Sequence, residues 1–199
     1  MPLTVDDAVA HLYQVAVIEG KKQSPRRLDL LADFCIQELS ERGVVGATTD
    51  IEIPGFGRAK KWDVVWNYDK KVRLGISLKS LLKNIRGTVP NRIDDLMGEV
   101  ANVQLHSPEI VVGYIMIFHK DLADTESRKH GKTWIEVFRA GMDSLSNRRA
   151  PSWAPGTIEA YVVAEADFTD TPRLVSPRED FDRFFDRLTE AVRERNPGA

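Results

Sequence analysis

The chain has 199 residues, with 28 lysines and arginines against 30 aspartates and glutamates, and 42% of it is hydrophobic. That composition supplies one sizeable core, so a single domain over 1–199 is expected, and it excludes a disordered chain. The longest apolar run, 110–118, is half the length a membrane helix needs, and the N-terminus lacks a basic-then-apolar leader; no membrane partner is expected, and the cytoplasm is the expected compartment.

Helical spacing of Val9, Leu12, Val15, Ala16 and Ile18 predicts a first helix over 5–19. Ser24-Pro25 starts a second, about 26–42, with Leu28, Leu30, Leu31, Phe34, Cys35 and Leu39 on its apolar face and Gly43 as its cap. The lone cysteine, Cys35, is read as a buried thiol. A short strand over 50–54 and a Pro54–Gly57 turn precede two β-rich runs, 62–68 and 72–80, separated by Asp69-Lys70-Lys71: a hairpin signal. A loop is expected over 83–91. Then comes a helix over 92–106 with a core stripe of Ile93, Leu96, Met97, Val100 and Val103. Ile110–His119 reads as a buried central strand. A charged loop leads to a helix over 134–145, a strand over 158–164 and an amphipathic helix over 177–195. The order implies an α/β fold, a mixed central β-sheet flanked by helices, its core roughly 26–165.

Charge is unevenly spread. Residues 1–57 carry 5 basic and 9 acidic side chains, 58–92 carry 10 and 2, and 93–199 carry 13 and 19, giving −4, +8 and −6. A net charge of −2 excludes a uniformly basic DNA coat protein, but a focused positive segment attracts polyanions whatever the total. The other reading of that segment is a solvated hairpin paired to acidic neighbours.

The hairpin also carries a chemical constellation. Residues i and i+2 of a strand share a face, so Ser77 and Lys79 project together. If the two strands pair, Asp63 lies beside Lys79. A carboxylate and a lysine at adjacent strand ends suit a divalent cation and an activated water at phosphorus. Four histidines show no paired metal spacing, which argues against zinc. There is no phosphate-binding Gly-Lys-Ser/Thr loop and no Gly-x-Ser-x-Gly elbow around Ser77.

On Asp63, the Ser77-Leu78-Lys79 tripeptide and the helix and apolar strand that follow, the chain resembles the PD-(D/E)xK nuclease superfamily, and within it type II restriction endonucleases, over roughly 26–119. The resemblance implies a restriction-endonuclease-like core and Mg²⁺-dependent hydrolysis of DNA, with Mn²⁺ as a substitute. The residue before Asp63 is Trp62, not proline, and Ser77 stands where the family has an acid; serine is no strong magnesium ligand. Some restriction enzymes of CCGG-like sites show this S-x-K pattern and take the acid from the next helix. Glu99 is the first choice here and Asp95 the second. The metal set implied is Asp63, the Leu78 backbone carbonyl and Glu99, with Lys79 orienting the water and Ser77 adding a hydrogen bond. Lys60, Lys61, Lys83, Asn84, Arg86, Asn91 and Arg92, with Arg128, Lys129 and Lys132 on a second loop, are the expected DNA contacts. Two strand cuts imply a homodimer on double-stranded DNA, and a restriction role implies a DNA methyltransferase encoded nearby. Glu38 on the first core helix and Glu52 on the preceding strand are further candidate acids. The alternatives are Asp63 as a hairpin cap or a partner of Lys61, Lys79 as a solvated strand-end lysine, Glu99 as a helix-surface acid paired with Arg92 or His106, Glu38 in a surface salt bridge and Glu52 facing solvent. At the level of function, the alternatives are an inactive nucleic-acid-binding domain and a repair or phage-defence nuclease.

Overall fold

The computed structural model describes residues 2–169 and 171–198. The elements are α1 (Val5–Tyr13), prolonged by a π-turn at Gln14–Ile18, then a 3₁₀ turn at Pro25–Leu28, α2 (Asp29–Glu41), β1 (Thr48–Ile53), β2 (Lys60–Tyr68), β3 (Lys71–Leu81) and α3 (Ile85–His106). They continue with β4 (Val111–His119), α4 (Lys120–Ala123), β5 (Glu126–Ser127), β6 (Lys132–Thr133), α5 (Trp134–Leu145), β7 (Ala160–Asp167), β8 (Arg173–Leu174) and α6 (Glu179–Arg195). None of the described helices is long and apolar enough to cross a membrane.

Six strands form one mixed sheet in the order β1-β2-β3-β4-β7-β8. β1, β2 and β3 pair antiparallel, β3-β4 and β4-β7 pair parallel, and β8 closes the far edge antiparallel. The hairpin between β2 and β3 turns on Asp69 and Lys70, both at positive φ (48° and 59°), as a two-residue turn matched to strand twist requires. β4 is buried along its length except at His119, as its unbroken apolar run predicts for a central strand.

Each face of the sheet carries a core. Val64, Trp66, Leu74, Ile76, Leu78, Val111, Ile115 and Ile117 pack against α1, α2 and α6; Trp62, Val65, Val112, Tyr114, Met116 and Phe118 pack against α3 and α5. Two strand glycines permit this layering. A Cβ on Gly75 would lie 2.9 Å from the Trp62 ring, and one on Gly113 would lie 2.8 Å from both Leu188 and Phe184, so α6 approaches β4 only because position 113 has no side chain. Below the sheet's opposite end, Arg148 and Arg195 enclose the fully buried Glu159, which also accepts the Val112 amide at 2.6 Å.

Three readings are corrected. Residues 85–91 are helix, not loop: Ile85 and Val89, one turn apart, are buried in the α3-side core, and this outweighs Gly87 and Pro90. Pro90 sits in the second turn, where its missing N–H removes one intrahelical bond. Met97, expected in the core stripe of α3, is exposed (44%), and so is Ile18 (58%), the last residue of the helical spacing in the first helix. The excursion after β4 is a short helix and a small β5-β6 hairpin rather than a plain loop. Cys35 is buried, which pushes its thiol well up and keeps it protonated.

Candidate functional site

The parallel strands β3 and β4 end at the same edge of the sheet, and β2, antiparallel to β3, begins there. In open α/β sheets ligands bind outside the carboxyl ends of parallel strands. The connection 82–84, the first turns of α3 and the excursion 120–133 all leave from this edge. Lys83, Asn84, Arg86, Asn91, Arg128, Lys129 and Lys132 sit on them with exposed side chains, and Arg92 is half-buried beside them.

Asp63 sits where the β2-β3 ladder stops. Its rungs run from Tyr68↔Lys71 to Val64↔Ile76. Beyond them the Leu78 amide donates to Asp63 Oδ2 at 2.7 Å, so a carboxylate replaces a main-chain acceptor. Lys79 Nζ lies 3.5 Å from the same oxygen. The expected pairing of Asp63 with Lys79 is therefore present, and Lys61 pairs with Asp50 at 3.1 Å rather than with Asp63. Ser77 is 3% exposed and stands beside Tyr114 across the parallel rung.

The helix acids are placed differently. Glu99 is held by Lys60 Nζ at 2.8 Å and lines a cleft with Gly57, Arg58, Asp94, Asp95, Gly98 and Asn102. Asp95 is exposed and pairs with Arg92 at 3.3 Å. Asp63 instead lines a cavity of about 270 Å³ under the start of α2, with Asp29, Asp33 and Asp50 on its walls. Glu38 is bound to Arg42 at 2.6 Å and Glu52 is exposed, so neither joins the site.

The basic segment is divided. Lys70, Lys71 and Arg73 lie at the hairpin turn, and eight residues of strand separate Lys71 from Lys79, about 26 Å. Six of the ten basic side chains of 58–92 have an acidic partner: Lys60, Lys61, Lys71, Arg73, Lys79 and Arg92, with Lys71 and Arg73 sharing Glu109. The positive field at the site is thus narrower than the +8 count implies.

Two residues marked by no local sequence pattern also lie here. Arg27, in the turn before α2, donates from Nε to Ser80 Oγ at 3.0 Å and from Nη1 to the Ser24 carbonyl at 2.6 Å. Burial, and then the neighbouring Arg92, pull its guanidinium below its ordinary value, while Asp63 opposes them. Tyr114 is 1% exposed on the α3-facing side of β4. No local pattern marks either; the docking of α2 and the β3-β4 register bring them in.

Among the described residues, no three His, Cys, Asp or Glu side chains surround a common point as a ready-made metal cage. Magnesium does not require one: it is commonly held by one or two carboxylates, with waters and substrate phosphate completing its shell. Asp63, which accepts the Leu78 amide, offers one such carboxylate, whereas Glu99 lines a separate cleft and is held by Lys60. No protein-family model matches the chain, and no curated protein matches it.

Proposed function

We propose that the protein is a metal-dependent DNA endonuclease on a restriction-endonuclease-like core. The carrying observation is the Asp63 carboxylate, which receives the Leu78 amide and Lys79 at the point where the ladder opens, at the basic end of the sheet. A helix, three antiparallel strands, a crossover helix and a parallel strand in this order support the same reading.

In this reading Asp63 and the Leu78 carbonyl hold Mg²⁺, with Glu99 as the helix-borne acid. Bound magnesium lowers the pKa of a coordinated water and offsets charge on the phosphate. Lys79 turns from Asp63 to orient the attacking water and to offset developing charge on the phosphate oxygens. Arg27 and Arg92 approach the site from two sides and clamp the phosphate. Ser77, deep beside Tyr114, contributes a hydrogen bond and no charge. Lys83, Asn84, Arg86 and Asn91, with Arg128, Lys129 and Lys132, follow the DNA backbone. Two copies are needed to cut both strands.

The experiment is digestion of unmodified plasmid and phage DNAs with the purified chain in Mg²⁺ and in EDTA. Metal-dependent cleavage that Lys79→Ala abolishes is the expected result; no cleavage of a broad DNA panel, or full cleavage by Lys79→Ala, overturns it. A second reading, a DNA-binding domain without catalysis, is favoured by Ser77 in the acid's place and by the Lys60–Glu99 pair. Metal-independent DNA binding without cleavage is its signature.

A further inference from the structure

The hydrolytic reading leaves one group at the site without a task. Residues paired across a parallel rung share a face, so Tyr114, opposite Ser77, projects to the side that carries Ser77 and Lys79. Its ring is fixed near Phe138, with centroids 6.3 Å apart. Its hydroxyl is buried and has no hydrogen-bond partner among the described residues. Buried polar groups are almost always partnered, and an orphan calls for a cause.

Three other buried side-chain atoms share this condition: Nε of Arg73, Nε of Arg148 and Nε1 of Trp134. The two arginines are paired through their other nitrogens. Tyr114 alone among the four stands across a rung from the Ser77-Leu78-Lys79 tripeptide. Burial raises the affinity of its hydroxyl for its proton, and of the surrounding charges Arg92 opposes this while Glu99, Asp95 and Asp63 add to it. The hydroxyl therefore stays a neutral donor. Among these carboxylates, a donor that neither carries charge nor competes for a cation is suited to an anionic oxygen.

We propose that the Tyr114 hydroxyl donates a hydrogen bond to a phosphate oxygen of the DNA bound at Asp63, Lys79 and Arg92. This rests on the reading of the site as a phosphodiester site. The charges that act on the hydroxyl include Arg92 and Asp95, a partly exposed pair in the third turn of α3.

Tyr114→Phe keeps the ring and removes only the hydroxyl. The variant is expected to keep or raise the melting temperature, because an orphan group is lost, and to cleave plasmid roughly tenfold or more slowly in single turnover. In parallel, the chain is labelled at tyrosine Cζ, which gives four resonances (Tyr13, Tyr68, Tyr114, Tyr161), with Tyr114 assigned from the variant. A short DNA duplex is then added with Ca²⁺ in place of Mg²⁺, and the Tyr114 resonance is expected to move. Cleavage by Tyr114→Phe at the wild-type rate overturns the proposal. So does a lowered melting temperature, which marks the hydroxyl as already partnered within the fold. A Tyr114 resonance unmoved by duplex also overturns it, whether the duplex binds elsewhere or not at all. A resonance that moves in a chain that never cleaves supports the contact and refutes the hydrolytic reading alone.

Discussion

Asp63 has two tasks that substitution separates. Asp63→Ala removes a charge-assisted hydrogen bond to the Leu78 amide, worth about 1.5–3 kcal/mol, and the ion pair with Lys79. Asp63→Asn keeps an oxygen for the amide but makes that bond a neutral one, worth about 0.5–1.5 kcal/mol, and loses the ion pair. With side chains 27% and 33% exposed, that pair is screened and contributes about 0.2–1 kcal/mol. For a chain of this size each kcal/mol moves the melting temperature about 2–4 °C. Alanine should therefore lower it by about 9 °C and asparagine by about 5 °C. Both should lose cleavage by roughly a thousandfold, the equivalent of several kcal/mol of Lewis-acid stabilisation. Calorimetry and a plasmid-nicking time course read the two effects side by side. Equal melting temperatures for the two variants refute the amide contact as a stabiliser, and an asparagine variant that cuts within tenfold of wild type refutes Asp63 as the metal carboxylate.

Glu99→Gln should raise the Mg²⁺ concentration for half-maximal cleavage by about tenfold or more, whereas Asp94→Asn, on the same cleft, should leave it unmoved; equal metal profiles for wild type and Glu99→Gln remove Glu99 from the ligand set. Asp167 contributes to the pH dependence of stability. Hydrogen bonds from the Thr169 hydroxyl and amide, aided by Arg173, hold its carboxyl at about 2, below the unfolded value of about 3.9. A lowered folded value stabilises the protein above the unfolded one, and that contribution disappears as pH falls through the folded one. Urea midpoints measured between pH 4.5 and 2 should therefore decline with a slope that Asp167→Asn reduces, and an identical acid limb in the variant refutes the assignment.

The elements that sequence periodicity marks clearly are those whose burial is one-sided or complete. The Phe181–Val192 face of α6, the apolar β4 and the Asp69-Lys70 hairpin all follow from local pattern. The Asp63–Lys79 approach follows only in part: the hairpin puts the two side chains in one neighbourhood, but its register opposes Asp63 to Ser77, and the contact with Lys79 is made beyond the last rung. The start of α3 does not follow: Gly87 and Pro90 oppose a helix locally, and only the burial of Ile85 and Val89 against the sheet decides otherwise. The same limit applies to the site. Arg27 reaches Ser80 across 53 residues and Tyr114 meets Ser77 through a parallel rung, so both depend on how distant segments dock. The two-residue strand β8 is too short to leave a periodic signal.

Helix α3 has a mechanical role beyond carrying Glu99. Asn102 accepts the Gly57 amide at 2.8 Å and donates to the Arg58 carbonyl at 2.8 Å, while Glu99 grips Lys60. Two residues on, Gln104 donates to the Thr157 carbonyl at 2.7 Å and accepts the Gly156 amide at 2.9 Å. The helix is thus bolted to the β1-β2 loop on one side and to the approach of β7 on the other. A force applied at its N-terminus is borne by both anchors together, so the helix resists as a braced strut rather than bending as a free lever.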